Sequence, residues 1–372
     1  MARSAVARRL SAGVLALDGF TFALATAADE AEIRRLLREN PLGGGIEITL
    51  EREPNAFAAD FGLSRNHAVI LAREASGRVI GMCERVVGEA FVNGEARLLP
   101  YLGGLRIAAS HRHRVAILRG GFQALRALAE RPGEEPFALT SITADNTAAR
   151  RLLTAGVPGL PRYQPVGAFS TFGVRPRRAR TAEGIEPAGE ADFPAVADFL
   201  QRQLGRFQFA PVWSVEKLRG LGLDILLARH RGELRGCLAL WDQGAVKQAV
   251  VRRYPPLLGL ARPVVNLLAG LPRLPAPGTA LRQADISHVA VEGDDAEIFL
   301  ALLEAALDLS AQRGFGAAAV GLASAHPWRA ALKRRYRTLE YRTELYLAHW
   351  PEAGDMVAAV ERQLPFPELG LL

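Results

Sequence analysis

Between Tyr101 and Phe122 the chain passes from an apolar, strand-like run through His111, Arg112, His113 and Arg114 into the start of an amphipathic helix. A strand feeding a helix through such a loop aims free backbone N–H groups and the positive end of the helix dipole at whatever lies above it, and an anion is the favoured guest. Two arginines and two histidines add side-chain donors at the same place, so the segment can grip a pyrophosphate; a solvated basic turn is the plain alternative. Further on, Asp145 and Asn146 stand ahead of Ala149, Leu152 and Gly156, where Asn146 either lines a channel or caps a helix. Glu84, on an expected third strand, and Tyr101, on the fourth, are the candidate base and acid for proton transfer. A surface carboxylate and a core tyrosine are the plainer roles for the same two side chains.

These residues need a scaffold, and the pattern of elements supplies one. The first half reads as a strand over 20–24, a helix over 29–39, a Gly-rich loop at Gly43 to Gly45, and a buried strand over 67–73. A meander with turns at Ser76-Gly77 and Asn93-Gly94 follows. Then come a helix over 115–130, a strand over 137–143, a helix over 147–155 and a strand over 167–174. The second half repeats this order: a helix over 190–204, strands over 224–230 and 236–242, a strand over 286–291, a helix over 295–313, a strand over 316–322, a helix over 328–336 and a strand over 343–349. Leu71-Ala72-Arg73 with Gly77 and Gly81 matches Leu227-Ala228-Arg229 with Gly232 and Gly236, each set followed closely by a cysteine. Duplication is the better account of that agreement. The expected division is a lead-in over 1–19, one α/β domain over 20–174, an Arg- and Pro-containing linker over 175–182, a second domain over 183–350 and a tail over 351–372.

On these segments the chain resembles the GCN5-related N-acetyltransferase (GNAT) superfamily. Ile107 falls at the end of the family's fourth strand and Arg112 at the leading position of its pyrophosphate loop, while Asn146 and Ala149 with Gly156 match its fifth strand and following helix. The resemblance implies a mixed α/β sheet in two tandem GNAT-like acyl-CoA N-acyltransferase domains. It implies acetyl-CoA or another acyl-CoA held beside Leu105, Ile107, Arg112, Arg114 and Asn146, and a small-molecule or peptide amine as acceptor. His113, Val115 and Ile117 stand where the family has glycines, and Leu152 and Leu153 where many relatives place a tyrosine. A non-catalytic protein that keeps the fold without the coenzyme, and an enzyme using a carrier-bound acyl donor, remain the competing readings. In the second half Glu292, Asp294 and Asp295 follow the equivalent strand, and an acidic loop repels pyrophosphate. That half reads as degenerate, with His288 as a core residue in preference to a catalytic one.

Composition sets the outer limits. The 372 residues hold 49% hydrophobic and 23% charged side chains, with 46 Lys and Arg against 39 Asp and Glu, which suits a folded chain of two ordinary domains. Only Lys217, Lys247 and Lys333 are lysines, an arginine skew expected of a GC-rich, bacterial-type genome. The arginines alternate with acids instead of forming a stripe, so no nucleic-acid partner is expected. Cys83 and Cys237 lie in apolar runs, as buried hydrophobes do, and no Cys/His cluster has metal-ligand spacing. The run 11–17 is too short and lacks a cleavage signal; it reads as a frayed lead-in. Arg262, Pro263, Asn266, Pro272 and Arg273 break the apolar region 257–274, so no membrane partner and a cytoplasmic location are expected. The insertion 254–278 is expected either to cover a cleft or to pack as a plain helix. The oligomeric state is left open.

Overall fold

The computed structural model describes residues 14–372 apart from 43–44, 59–60, 129–131, 181 and 268–269. Most of the lead-in and part of the Gly43 to Gly45 loop therefore lie outside the described residues. Val14–Leu17 (β1), expected to fray, instead pairs antiparallel with Phe20–Leu24 (β2) through the turn at Asp18 and Gly19. After Glu30–Glu39 (α1) and Glu47–Glu51 (β3) comes the meander of Asn66–Arg73 (β4), Val79–Val92 (β5) and Glu95–Ile107 (β6). Val115–Leu128 (α2), Phe137–Thr143 (β7), Thr147–Thr154 (α3) and Arg162–Val174 (β8) complete the first half.

The second half runs Ile185–Pro187 (β9), Phe193–Leu204 (α4), Val215–Gly220 (α5), Asp224–His230 (β10), Glu233–Trp241 (β11), Gln248–Arg253 (β12) and Pro256–Leu267 (α6). Gln283–Val291 (β13), Ala296–Gln312 (α7), Ala317–Ala323 (β14), Trp328–Arg335 (α8) and Thr338–His349 (β15) follow. The repeat seen in the sequence is an equivalence of register. Ala72 faces Gly81 and Ala228 faces Gly236, with a bulge at the following Arg in both hairpins. Arg73 then pairs with Asp29 and Arg229 with Asp192, each acid standing where its helix begins. Counting from Gly81 and Gly236, Met82 and not Cys83 is the counterpart of Cys237, so the cysteines lie outside the match. Both thiols are buried, and burial pushes each up to about 12.

Among the described residues thirteen strands form one sheet, in the order β1-β2-β4-β5-β6-β7-β15-β8-β14-β13-β11-β10-β9. The halves exchange their last strands. β15, from the second half, lies between β7 and β8, and β8, from the first, lies between β15 and β14. Parting the halves thus breaks main-chain ladders as well as side-chain packing. A two-stranded sheet of β3 with β12 joins the halves again. In the first half α2 covers one sheet face over Phe22, Ile70 and Cys83, and α1 covers the other over Val69, Leu71 and Met82. Gly120, in mid-α2, lets the helix sit down on the sheet, since a Cβ there would lie 2.1 Å from the Phe22 ring. The α7 and α4 helices cover the second half, whose core holds Trp213, Trp241, Phe299 and Trp328.

Candidate functional site

The parallel strands β6 and β7 pair only at Tyr101–Leu139 and Leu102–Thr140, a contact fixed by the Thr140 hydroxyl donating to Leu102 O at 2.8 Å. From Gly103 onward that edge of β6 has no strand beside it among the described residues. The cause is a bulge: β6 slips register against β5 between Met82 and Glu84, and Gly104 takes φ +60°. A bulge turns the strand and leaves main-chain groups without ladder partners, so the two strands enclose a wedge with a polar main-chain wall. Leu105 and Ile107 line a cavity of about 20 Å³ under α2, together with Phe22, Cys83 and Phe122, room for roughly one water.

The mouth of the wedge is the start of α2. One 3-10 turn, Ala109–His111, brings in Arg112, His113 and Arg114, all exposed, immediately before Val115. Arg112 donates from Nε to Ile107 O at 3.4 Å and from Nη2 to Asn40 Oδ1 at 3.2 Å. Ile117, at a family glycine position, turns inward against Gly81 and is 3% exposed, so its side chain does not cover the helix end. On the opposite lip Asn146 caps α3, its Oδ1 accepting from Ala149 N at 3.1 Å.

Tyr101 and Glu84 lie on the neighbouring strands β6 and β5, where Glu84 faces Gly103. The Tyr101 hydroxyl lies 2.9 Å from Ser141 Oγ, and burial pushes its phenol up to about 12. Glu84 is buried, takes two bonds of 2.5 Å from Arg52 and lies 2.7 Å from His67 Nε2. Burial alone would raise its carboxyl, but the His67 bond and the Arg52 charge overcome this and hold it well below the usual carboxylate range. A carboxylate so held is a weak proton acceptor. Arg106 follows on β6: burial lowers its guanidinium, and its Nε has no hydrogen-bond partner among the described residues. From the second half Tyr341, on β15, lies 2.5 Å from Thr143 Oγ1. Arg52, His67, Ser141 and Tyr341 escape sequence reasoning because a loop, a neighbouring strand and an exchanged strand bring them in. Arg106 was within reach, being two residues past Gly104 on the strand already singled out.

The second half has the same opening, and it is filled. Strands β13 and β14 pair from Gln283–Ala317 to Ile286–Val320 and then part, with the bulge at His288, φ +52°. Here Glu368 accepts from His288 N at 2.9 Å and from the backbone of Leu369 and Gly370. Gly370 O in turn accepts from Gln243 at 3.1 Å and Lys247 at 2.8 Å. The His288 ring lies 3.9 Å from that of Trp213, and burial pushes it down to about 3, so it is a neutral core residue. The acidic loop is engaged too, Asp294 by Arg206 and Glu292 by Arg235.

Burial, with the like charge of Asp285 nearby, pushes Glu368 up to about 7 against the pull of its three N–H donors. A raised carboxyl stabilises the fold fully below its ordinary value near 4.5, and that contribution is lost as pH rises through the folded value. Glu368→Gln is therefore expected to gain stability relative to the parent between pH 5 and pH 8, by up to about 3 kcal/mol. Chemical denaturation at the two pH values measures this, and a difference that does not change with pH rules it out.

A mixed sheet in which β6 and β7, and again β13 and β14, part at a bulge is a GNAT-like fold, here as two similar halves in tandem. The solved structures agree. A Saccharomyces cerevisiae N-myristoyltransferase with bound myristoyl-CoA is similar at TM-score 0.60 and 12% identity, over 92% of this chain and 82% of that one. A GCN5-related N-acetyltransferase from Sphaerobacter thermophilus is similar at TM-score 0.53 and 14% identity, over 95% of this chain and 99% of that one. No family model and no curated protein matches the sequence.

Proposed function

We propose that the chain is an N-acyltransferase that moves an acetyl or other acyl group from acyl-CoA to the amine of a small molecule or peptide. The active wedge lies in the first half, 20–174, and the second, 183–350, shapes the acceptor side. One observation carries the reading: of two matching openings between parted strands, the second is filled by Glu368, whereas the first has the basic helix start at its mouth. The bound myristoyl-CoA of the yeast structure supports an acyl-CoA as donor for this fold.

In this reading the α2 amides with Arg112 and Arg114 take the pyrophosphate, and the free edge of β6 beside Leu105 and Ile107 polarises the thioester carbonyl. Holding donor and amine side by side supplies most of the rate. The new C–N bond forms as the C–S bond breaks. The Arg52 and Arg106 charges favour a neutral amine; in this reading Tyr101, protonated at neutral pH, gives a proton to the departing thiolate and takes one from the amine nitrogen, so that thiol and amide both leave neutral. Asn146 serves as a helix cap at the lip.

Calorimetry with acetyl-CoA and myristoyl-CoA tests the proposal. At 100 times its dissociation constant a true ligand adds about 2.7 kcal/mol of stability. Arg112→Ala combined with Arg114→Ala is expected to weaken binding at least tenfold, since each charge-assisted phosphate bond contributes roughly 1.5–3 kcal/mol. No binding of any acyl-CoA leaves the non-catalytic reading standing in its place.

A further inference from the structure

The insertion between β12 and β13 carries a feature that the proposed reaction does not use. Its helix α6 starts at Pro256, a position where proline's missing N–H costs nothing. Leu258 and Val265, on the inner side, pack with Val251, Tyr254 and Leu274. Asn266 clamps the helix to the return segment, donating to Leu274 O at 2.9 Å and accepting from Leu274 N at 2.7 Å. The helix is thus held by one side only.

On the other side Leu257, Leu260, Val264 and Leu267 are 83%, 81%, 61% and 85% exposed. Steps of three, four and three residues place them on a single stripe. One exposed leucine needs no explanation, but a continuous apolar stripe on a helix already anchored by its other face marks a contact surface. The surroundings say of what kind. No Asp or Glu occurs between Asp242 and Asp285, whereas Lys247, Arg252, Arg253, Arg262, Arg273 and Arg282 do. Glu51 and Glu47, on β3, pair with Arg252 and Arg253. Arg262 and Arg282 instead donate to the carbonyls of Leu274 and Arg313, with no acidic partner among the described residues. A second copy docked face to face would set these cations against one another. An anionic bilayer takes both features at once, with leucines in the acyl boundary and arginines among the headgroups.

We infer that α6 is a membrane-surface helix that seats the protein on anionic lipid, in departure from the sequence expectation of no membrane partner. It lies in the surface and does not span it: among the described residues no helix is long and apolar enough to cross a bilayer.

The test is flotation of the full chain with phosphatidylcholine vesicles containing or lacking phosphatidylglycerol. Binding to the anionic vesicles alone is expected, weakening as salt rises. The triple variant Leu257→Ser, Leu260→Ser, Leu267→Ser is expected to bind at least tenfold more weakly with its unfolding temperature unchanged. Arg262→Glu combined with Arg282→Glu is expected to erase the preference for anionic lipid. The inference is overturned by equal binding of parent and triple variant, by binding indifferent to lipid charge, by no vesicle binding, or by a dimeric parent that the leucine substitutions render monomeric. None of these outcomes bears on acyl-CoA binding, so the two proposals stand or fall separately.

Discussion

Gly104→Val is expected to cut acyl transfer more than a hundredfold while acyl-CoA still binds. Gly104 sits at φ +60°, and a Cβ there would lie 2.9 Å from Glu84 Oε2 and 3.4 Å from Glu84 Cβ. A β-branched residue is strained in left-handed backbone, and Glu84 has little freedom to retreat because Arg52 and His67 hold it. The bulge must therefore straighten or shift, and the β6 edge proposed to face the thioester shifts with it. Loss of an aligned oxyanion donor costs about 10²–10³ in rate. Coenzyme affinity is proposed to be set at the α2 start, beyond the bulge, so Kd is expected to stay within a few-fold. Turnover measured beside calorimetric Kd separates the two, and parental turnover in the variant removes the β6 edge from the mechanism. Gly104→Ala keeps the conformational strain with less bulk, and its rate is expected to fall between the two.

Much of this scaffold was legible from local chemistry. Turns at Gly77 and Gly94, at φ +85° and +80°, announce the meander, and the amphipathic spacing of Ile33, Leu36 and Leu37 announces α1. The illegible parts are long-range. β3 and β12 are short and partly polar, and each is a strand only because the other pairs with it across the halves. The strand exchange leaves no mark in a sequence, because β8 and β15 carry the same apolar pattern whichever neighbours they have. Glu368 lies in what reads as a tail, and only the structure brings it to His288. Glu84 was legible as a chemically able residue, but its company was not: Arg52 comes from a loop and His67 from β4. The insertion forms a helix that packs along one side through Leu258 and Val265 and turns Leu257, Leu260 and Leu267 outward.

The environment of Glu84 decides its role, and Glu84→Ala tells the roles apart. In the folded protein one buried carboxylate serves Arg52, whose side chain is 18% exposed, and His67, at 16%, with Arg106 beside them. Deleting it leaves buried cations without a counter-charge, for which the expected cost is about 3–5 kcal/mol. Its carboxyl is held below the ordinary value, so the stability it confers is fully present above about pH 4.5 and is lost as pH falls through the folded value. The gap between parent and Glu84→Ala is thus expected to be flat from pH 8 to pH 5 and to close only in stronger acid. A general base gives the opposite pattern: the variant unfolds at the parental temperature, turnover collapses, and the acidic limb of the pH–rate profile disappears. Unchanged stability with lost turnover would restore Glu84 as the base. A large loss of stability, with Glu84→Asp recovering part of both properties, identifies it as the counter-ion that holds Arg52 and Arg106 beside the incoming amine.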